Sequence, residues 1–256
     1  MVTFLNNGNT CYFNVLMQII LHSKVDNKME KTKLGEGWYS IINKLKGLSP
    51  NTIYNPKLLY RLLNWHKHFR YGKKHDAHEA FLYLIDLIDD SNFKGHIVEC
   101  MITRNSPFEH CFRRNEFTSL EIWVNHNTLD KCIDDFFKID VINDWKDSKN
   151  NKRTLLKTSC INTNPVNLLI LLRQTYEDKK IVQYPLKLDI SKWCSCSENT
   201  TYYLKSVVIH DNEHYYIFCK ESNSWYLYND EARIHINSNE WMYQEPPYML
   251  IYDYLE

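Results

Sequence analysis

A cysteine stands between a polar turn and an apolar segment. Cys11 follows Asn6-Asn7-Gly8-Asn9-Thr10 and opens the run Cys11–Leu21, which is apolar almost all round and predicts a buried helix. A thiol there faces the positive end of the helix dipole, so we expect a lowered thiol pKa. The first amides of the helix could also bind an oxyanion. Alternatively, Cys11 is a small buried residue that only begins a helix, because buried cysteines are common.

A histidine and an asparagine stand at matched ends of a predicted hairpin. His214 opens one strand, and Asn229 closes the next strand after the turn Glu221-Ser222-Asn223. Antiparallel pairing about that turn brings His214 opposite Asn229, to within about one residue. A base and the group that orients it need this arrangement for nucleophilic catalysis. Alternatively, the two residues are incidental, as an isolated His and Asn in loops usually are.

The elements that carry these residues divide the chain into a helical first third and a strand-rich remainder. Besides Cys11–Leu21, helices are predicted after the cap Asn55-Pro56 and over 76–89. Asp76 and Glu79 resemble a capping box at the start of the third helix. Strands are predicted over Phe117–Trp123, Asn167–Leu172, Tyr202–Ile209, Tyr215–Lys220, Trp225–Tyr228, Arg233–Ile236 and Tyr248–Tyr254. This pattern indicates an α+β fold, with the cysteine on the helical part and the histidine on an antiparallel sheet.

The composition is that of an ordinary globular chain without an excess of charge. The 256 residues include 31 basic and 31 acidic residues, which argues against a uniformly basic nucleic-acid binder. No apolar run approaches the roughly 20 residues of a membrane-spanning helix, and the first residues lack the pattern of a signal peptide. We therefore expect a cytoplasmic or nuclear protein without nucleic-acid or membrane partners, whose eight cysteines stay reduced.

Several segments, in order along the chain, resemble the ubiquitin-specific protease family of cysteine deubiquitinases. The run Asn6–Asn14 is similar to the cysteine box of that family, with Gln18 at its usual place, and Lys74–Leu82 is similar to its QDAHEF-type segment. Further similar segments are Leu168–Arg173, Lys180 with Tyr184–Asp189, Tyr203–Tyr215, Trp225–Asp230 and Tyr248–Tyr252. The resemblance covers almost the whole chain.

The resemblance implies a papain-like α+β fold in a single catalytic domain over residues 1–256. Residues 1–92 would form a helical thumb, and residues 93–256 an antiparallel palm with short fingers. Ubiquitin would be held by the fingers, with its C-terminal tail in a cleft. The implied activity is hydrolysis of the bond after the C-terminal Gly-Gly of ubiquitin in ubiquitin conjugates, by a monomeric thiol hydrolase.

The resemblance also implies a catalytic role for five residues. His214 would deprotonate Cys11, whose thiolate would form a thioester intermediate. Asn6 and the Cys11 amide would hold the oxyanion. Asn229 would orient His214 with support from Asp230; alternatively, Asn229 is only a residue in a turn and Asp230 does the orienting.

Three further residues would bind substrate. Asp76 and Glu79 resemble positions that face the basic tail of ubiquitin; alternatively, they are only a helix-capping pair. Tyr215, next to the histidine, would also contact the substrate. His78 is expected to be structural rather than catalytic.

Two of the similar segments depart from the family pattern. Glu213 stands where the family usually has glycine before its histidine, and the loop 211–213 is short. That loop normally borders the channel for the Gly-Gly tail, so affinity or tail specificity would be altered. Lys74-His75 stands where Gln-Gln is usual.

The cysteines do not have the spacing of a structural zinc site. Many family members carry two Cys-x-x-Cys pairs at the fingertips. This chain offers only Cys100, His110 and Cys111 in that region, while Cys194 and Cys196 stand elsewhere. We therefore expect no metal, no other cofactor, and fingers held by apolar packing.

Two other functions stay open because the tail channel is modified. One is a catalytically inactive module that only binds ubiquitin. The other is a protease for a different ubiquitin-like modifier. Covalent capture by an electrophile built on the C-terminus of ubiquitin would distinguish both from an active deubiquitinase.

Overall fold

Most of the helices lie before residue 90 and pack around the first of them. The computed structural model describes residues 1–25, 33–70, 72–104, 110–147, 149–175, 179–195 and 198–254. Its helices are α1 (Cys11–His22), α2 (Lys33–Lys46), α3 (Lys57–Leu62), α4 (Ala77–Ile88) and α5 (Leu129–Phe137). The short strands β1 (Thr3–Phe4) and β2 (Ile53–Tyr54) form a parallel pair. We call α1 to α4 the thumb; α1 is buried from Cys11 to Leu21, as its all-round apolarity requires.

Strands that follow the thumb in the sequence form an eight-stranded sheet, which we call the palm. Its strands are β5 (Leu120–Trp123), β8 (Asn167–Arg173), β9 (Lys187–Asp189), β10 (Thr201–Asp211), β11 (His214–Glu221), β12 (Ser224–Asn229), β13 (Ala232–Ile236) and β14 (Pro247–Asp253). Within the described residues the order is β13-β12-β11-β10-β14-β8-β5, with β9 beside β10. Because β10, β11 and β12 follow one another as antiparallel hairpins, the start of β11 and the end of β12 lie at the same end of the sheet.

The described residues also form a four-stranded antiparallel sheet, which we call the fingers. Its strands are β3 (Gly95–Thr103), β4 (His110–Phe117), β6 (Asp140–Lys146) and β7 (Lys152–Thr163), in the order β4-β3-β7-β6. Strand β4 is exposed along nearly its whole length, and so is β6. Large apolar side chains such as Phe112 and Val141 are therefore exposed on the fingers.

Both faces of the palm are covered. In β8, Leu169 and Leu171 pack with the thumb, whereas the alternate side chains pack in a second core that includes α5. Successive side chains of a strand point to opposite faces, so a strand covered on both sides has a continuous apolar sequence. The thumb therefore packs directly on the face of the palm that carries the start of β11.

The predicted α+β class is confirmed. For six of the seven predicted strands, both the first and the last residue lie within two residues of the observed bounds. Helices α2 and α5 and the finger strands were not predicted. The α2 segment contains two glycines, which are poor helix formers, and α5 has only nine residues. The division of the domain at residues 92 and 93 stays a prediction. Among the described helices, none has the length and apolarity needed to cross a membrane.

Candidate active site

A tight turn presents Cys11 at the first position of α1. Gly8 and Asn9 both have positive φ, +85° and +55°, which glycine adopts freely and asparagine tolerates. The side-chain oxygen of Asn6 accepts hydrogen bonds from the Gly8 amide (3.0 Å), the Thr10 amide (3.3 Å) and the Thr10 hydroxyl (3.2 Å). Asn6 thus organises the turn that precedes the cysteine.

The surroundings of the Cys11 thiol raise its pKa, and the expected lowering is wrong. Burial is the largest cause, and the Asp230 carboxylate also raises the pKa. The backbone amides of Tyr215, Tyr12 and Cys11 itself face the sulfur and act in the opposite direction. The helix-dipole argument considered only the local sequence, whereas the burial comes from the palm packed over the start of α1.

The side chain of His214 is bound to that of Asn229. Strands β11 and β12 pair from Glu221↔Ser224 to Ile217↔Tyr228, a register that places Asn229 beside Tyr216. The predicted alignment of His214 with Asn229 to within one residue is therefore wrong, because the turn has two residues rather than three. Residues two apart share a strand face, so His214 still reaches diagonally, and its Nε2 lies 2.7 Å from Asn229 Oδ1.

Asp230 accepts hydrogen bonds from two asparagines and lies close to His214. Its Oδ2 accepts a 2.7 Å hydrogen bond from Asn6 Nδ2, and its Oδ1 accepts a 2.8 Å bond from Asn14 Nδ2. The distance from Asp230 Oδ2 to His214 Nε2 is 3.9 Å. Asn229, rather than Asp230, makes the hydrogen bond to His214. The carboxylate instead connects the end of β12 to the turn before Cys11.

Two residues of this network were missed by the sequence reasoning. Asn14 is buried in α1 and binds Asp230 as described above. A polar side chain three residues after Cys11, within a mostly apolar run, was the signal that could have identified it. Glu231 accepts a 2.6 Å hydrogen bond from the Asn6 backbone amide. No sequence pattern pointed to Glu231.

The site opens on a cleft of about 310 Å³ between the thumb and the palm. Its lining residues are Asn9, Cys11, Tyr12, Lys74, His75, Asp76, His210, Asn212, Glu213 and Tyr215. A second cleft of about 220 Å³ shares Asp76 and His210 with the first and continues past Leu171, Arg173 and Tyr248. The two clefts together form a groove that ends at the cysteine.

Asp76 stands where the two clefts meet. Its Oδ1 accepts a 2.9 Å hydrogen bond from the Glu79 amide, which caps α4. Its Oδ2 accepts hydrogen bonds from the hydroxyls of Tyr248 (2.6 Å) and Tyr215 (3.5 Å). Burial raises the pKa of the Tyr248 phenol, and Asp76 adds to this effect. Asp76 therefore serves both as a helix cap and as part of the groove wall.

The remaining candidate residues, Tyr215, Glu79 and His78, lie at different positions with respect to the groove. The ring of Tyr215 stacks on that of His210 with centroids 4.0 Å apart, and both line the first cleft. Glu79 is exposed in the first turn of α4, and within the described residues it lines neither cleft. His78 is buried and binds Ser119 Oγ at 2.8 Å, which is consistent with the predicted structural role.

The cysteines of the fingers do not converge on a metal site. Cys111 pairs with Met101, the neighbour of Cys100, so Cys100 and Cys111 point to opposite faces of the sheet. Within the described ranges, no group of three or more His, Cys, Asp or Glu side chains lies together as a metal site would require. Cys196 lies outside the described residues.

Comparison with known proteins identifies similar sequences. The family model for ubiquitin carboxyl-terminal hydrolase matches residues 2–252. Ubiquitin carboxyl-terminal hydrolase 10 of Saccharomyces cerevisiae is 33% identical over 147 residues, which are 49% of this chain and 18% of that protein. Ubiquitin carboxyl-terminal hydrolase 42 of Homo sapiens is 24% identical over 88% of this chain and 21% of its own length. Probable ubiquitin carboxyl-terminal hydrolase 8 of Schizosaccharomyces pombe is 21% identical over 96% of this chain and 63% of its own. The chain thus spans less than two thirds of each relative.

Solved structures share the fold. The Ubp8/Sgf11/Sus1/Sgf73 module of SAGA bound to monoubiquitin matches with a TM-score of 0.80 and 19% identity. That match covers 99% of this chain and 69% of the solved chain. The same module bound to ubiquitin aldehyde gives a TM-score of 0.77 over the same shares. These matches confirm the papain-like α+β fold expected from the sequence.

Proposed function

Because this chain belongs to the ubiquitin carboxyl-terminal hydrolase family, we propose that it is a cysteine-type deubiquitinase that cleaves after the C-terminal Gly-Gly of ubiquitin conjugates. The observation that carries the proposal is the 2.7 Å hydrogen bond from His214 Nε2 to Asn229 Oδ1 beside the buried Cys11. Cys11 lies against the backbone amide of Tyr215, the residue after His214. Nucleophile, base and orienting group are thus contributed by α1, β11 and β12.

The first step uses His214 as a base. Asn229 binds Nε2 of the ring, so Nδ1 takes the proton from the Cys11 thiol. The thiolate attacks the carbonyl carbon of the terminal glycine of ubiquitin, and the carbonyl oxygen becomes an oxyanion. His214 then gives its proton to the leaving amine as the C–N bond breaks, which leaves a thioester on Cys11.

The oxyanion is stabilised by two donors, one on the turn before α1 and one at the first residue of α1. The Asn6 side chain has two N–H groups, and only one of them is needed for the bond to Asp230. The second N–H and the Cys11 backbone amide face the developing charge. Asp230 and the turn contacts keep Asn6 in place before substrate binds, so the donors need no reorganisation during the reaction.

The second step releases ubiquitin. Water gives a proton to His214 and attacks the thioester carbonyl, where the same oxyanion donors act again. The C–S bond then breaks, and the proton returns to Cys11. Ubiquitin leaves with a free C-terminal carboxylate.

The groove supplies the path for the ubiquitin tail. The tail enters along the second cleft and reaches Cys11 through the first, and it passes Asp76 where the two meet. A carboxylate at that point attracts the basic residues of the tail. Tyr215 and His210 form a flat aromatic wall that leaves room for a narrow chain such as Gly-Gly.

The proposal is tested with a ubiquitin that carries an electrophile at its C-terminus. We expect a covalent adduct with the wild type and none with Cys11→Ser or His214→Ala. Reversible binding of ubiquitin without an adduct would indicate an inactive binding module. An adduct only with a probe built on another ubiquitin-like modifier would identify a protease for that modifier.

A further inference from the structure

An ion pair joins the two walls of the catalytic cleft. Lys74 lies just before α4 in the thumb, and Glu213 lies in the two-residue turn between β10 and β11 in the palm. The Lys74 ammonium and the Glu213 carboxylate are in contact, although 139 residues separate them in the sequence. Both side chains also line the cleft that contains Cys11. The pair therefore bridges the cleft from thumb to palm.

The two partners stand at positions where the sequence departs from its family pattern. A glutamine in place of Lys74 would lack the positive charge, and a glycine in place of Glu213 would have no side chain. Neither usual residue could form this ion pair. The two departures thus complement each other across the cleft, although each alone would only place an unpaired charge there.

We propose that Lys74 and Glu213 form a latch that closes the cleft over Cys11 until a substrate tail separates the pair. The inference rests on the proposed function, since the tail is what would open the latch. The two side chains are 51% and 71% exposed, so water and salt weaken their attraction. An exposed ion pair of this kind opens readily, which makes it suitable as a reversible gate rather than a permanent closure.

Neutral variants of both residues test the latch. Lys74→Gln, Glu213→Gln and the double variant are compared with the wild type. Lys192→Gln is the matched control, because Lys192 is 52% exposed and pairs with Asp134 outside the groove. One measurement is the rate of capture by the ubiquitin electrophile. The other is the alkylation rate of Cys11 by the uncharged reagent N-ethylmaleimide, followed by mass spectrometry of the Cys11 peptide.

The latch predicts that each neutral variant reacts about two- to fivefold faster than the wild type at about 0.1 M salt. The double variant should react no faster than the single variants, because either change already opens the latch. At about 1 M salt the wild type should approach the variants. Lys192→Gln should behave as the wild type throughout.

If the charges of Lys74 and Glu213 instead acted directly on the Cys11 thiolate, the alkylation rates would follow a different pattern. Loss of the Lys74 charge would slow alkylation, whereas loss of the Glu213 charge would speed it, because the two charges act oppositely on an anion. Such opposite changes, or variants no faster than the wild type, overturn the latch. If no variant is captured by the ubiquitin electrophile, the proposed function fails, while the alkylation rates still decide on the latch.

Discussion

The side-chain amide of Asn6 donates a 2.7 Å hydrogen bond to Asp230, which connects the turn before Cys11 to the residue after Asn229. Asp230 also lies 3.9 Å from His214 Nε2, but Asn229 is the residue that binds this nitrogen. The two neighbouring positions therefore act on different groups. In the proposed mechanism, Asn229 orients the base His214, and Asp230 positions the oxyanion donor Asn6.

Replacement of Asp230 by Ala is expected to lower kcat for a fluorogenic ubiquitin substrate by about 10²-fold. Asn6 would lose the acceptor that fixes its amide, and one oxyanion donor is typically worth a factor of about 10²–10³. KM should change little, because Asp230 does not line the groove described above. Glu231→Gln is the control, since glutamine can still accept the bond from the Asn6 backbone. An unchanged kcat for Asp230→Ala would contradict the role of Asn6.

Replacement of Asp230 by Asn should lower the pH midpoint for alkylation of Cys11. The Asp230 carboxylate raises the pKa of the thiol, so removal of its charge favours the thiolate and shifts the midpoint down. The alkylation rate is measured against pH for both proteins. A midpoint that stays or moves up would show that Asp230 does not act on the thiol through its charge.

Substitutions of Asn229 separate hydrogen bonding from charge. Asn229→Ala removes the acceptor for His214 Nε2 and should lower kcat by about 10- to 100-fold. Asn229→Asp keeps an acceptor and adds a charge that stabilises the imidazolium, so its kcat should stay within about threefold of the wild type. Steady-state kinetics on the same fluorogenic substrate compare the variants. Equal loss in both would mean that the amide group itself is required.

The sequence revealed the residues of the site better than the contacts between them. The places of Cys11 and His214 in the fold were predictable because each depends on local patterns, a turn before a helix and the start of a hairpin. The hydrogen bonds that Asn6 and Asn14 donate to Asp230 span 224 and 216 residues, and no local pattern contains such pairs. The raised thiol pKa escaped prediction for the same reason, because the burial arises from tertiary packing.

The fold was predictable where periodicity is strong. The apolar runs of α1 and β8 directly indicate elements that are buried on all sides. The finger strand β4 contains charged and polar residues at most positions, and its sequence lacks the alternation that identifies a half-buried strand. Its hydrogen bonds to β3 determine its structure more than its composition does.

Two substitutions of Asp76 distinguish helix capping from substrate binding. Asn caps helices about as well as Asp, so Asp76→Asn should change the free energy of unfolding by less than about 0.5 kcal/mol. The same variant should have a higher KM for the fluorogenic ubiquitin substrate, because the negative charge of Asp76 at the junction of the two clefts is lost. Asp76→Ala should raise KM and also destabilise the protein by about 1 kcal/mol. Glu79→Gln is the control outside the groove, and an unchanged KM for Asp76→Asn would contradict the proposed path of the tail.

The buried His22 should make stability depend on pH. Its Nδ1 lies 2.8 Å from the Gln18 carbonyl and its Nε2 lies 3.4 Å from Glu221 Oε1, so both nitrogens face acceptors, which favours the protonated ring. Burial opposes this charge, but contacts with Cys219, Glu221 and Gln18 raise the pKa of His22 to about 9. The pKa of Glu221 is lowered, against the effect of burial, by His22, Arg233 and Tyr228.

The two pKa shifts determine how the free energy of unfolding depends on pH. A raised histidine pKa contributes stability that is complete below the unfolded value of about 6.5 and is lost as the pH rises through about 9. The lowered Glu221 pKa contributes stability that is lost as the pH falls below about 4.5. His22→Gln should therefore cost about 2 kcal/mol at about pH 6 and clearly less at about pH 9.5, as measured by urea unfolding. A constant difference between the two proteins across this range would show that His22 is neutral in the folded state.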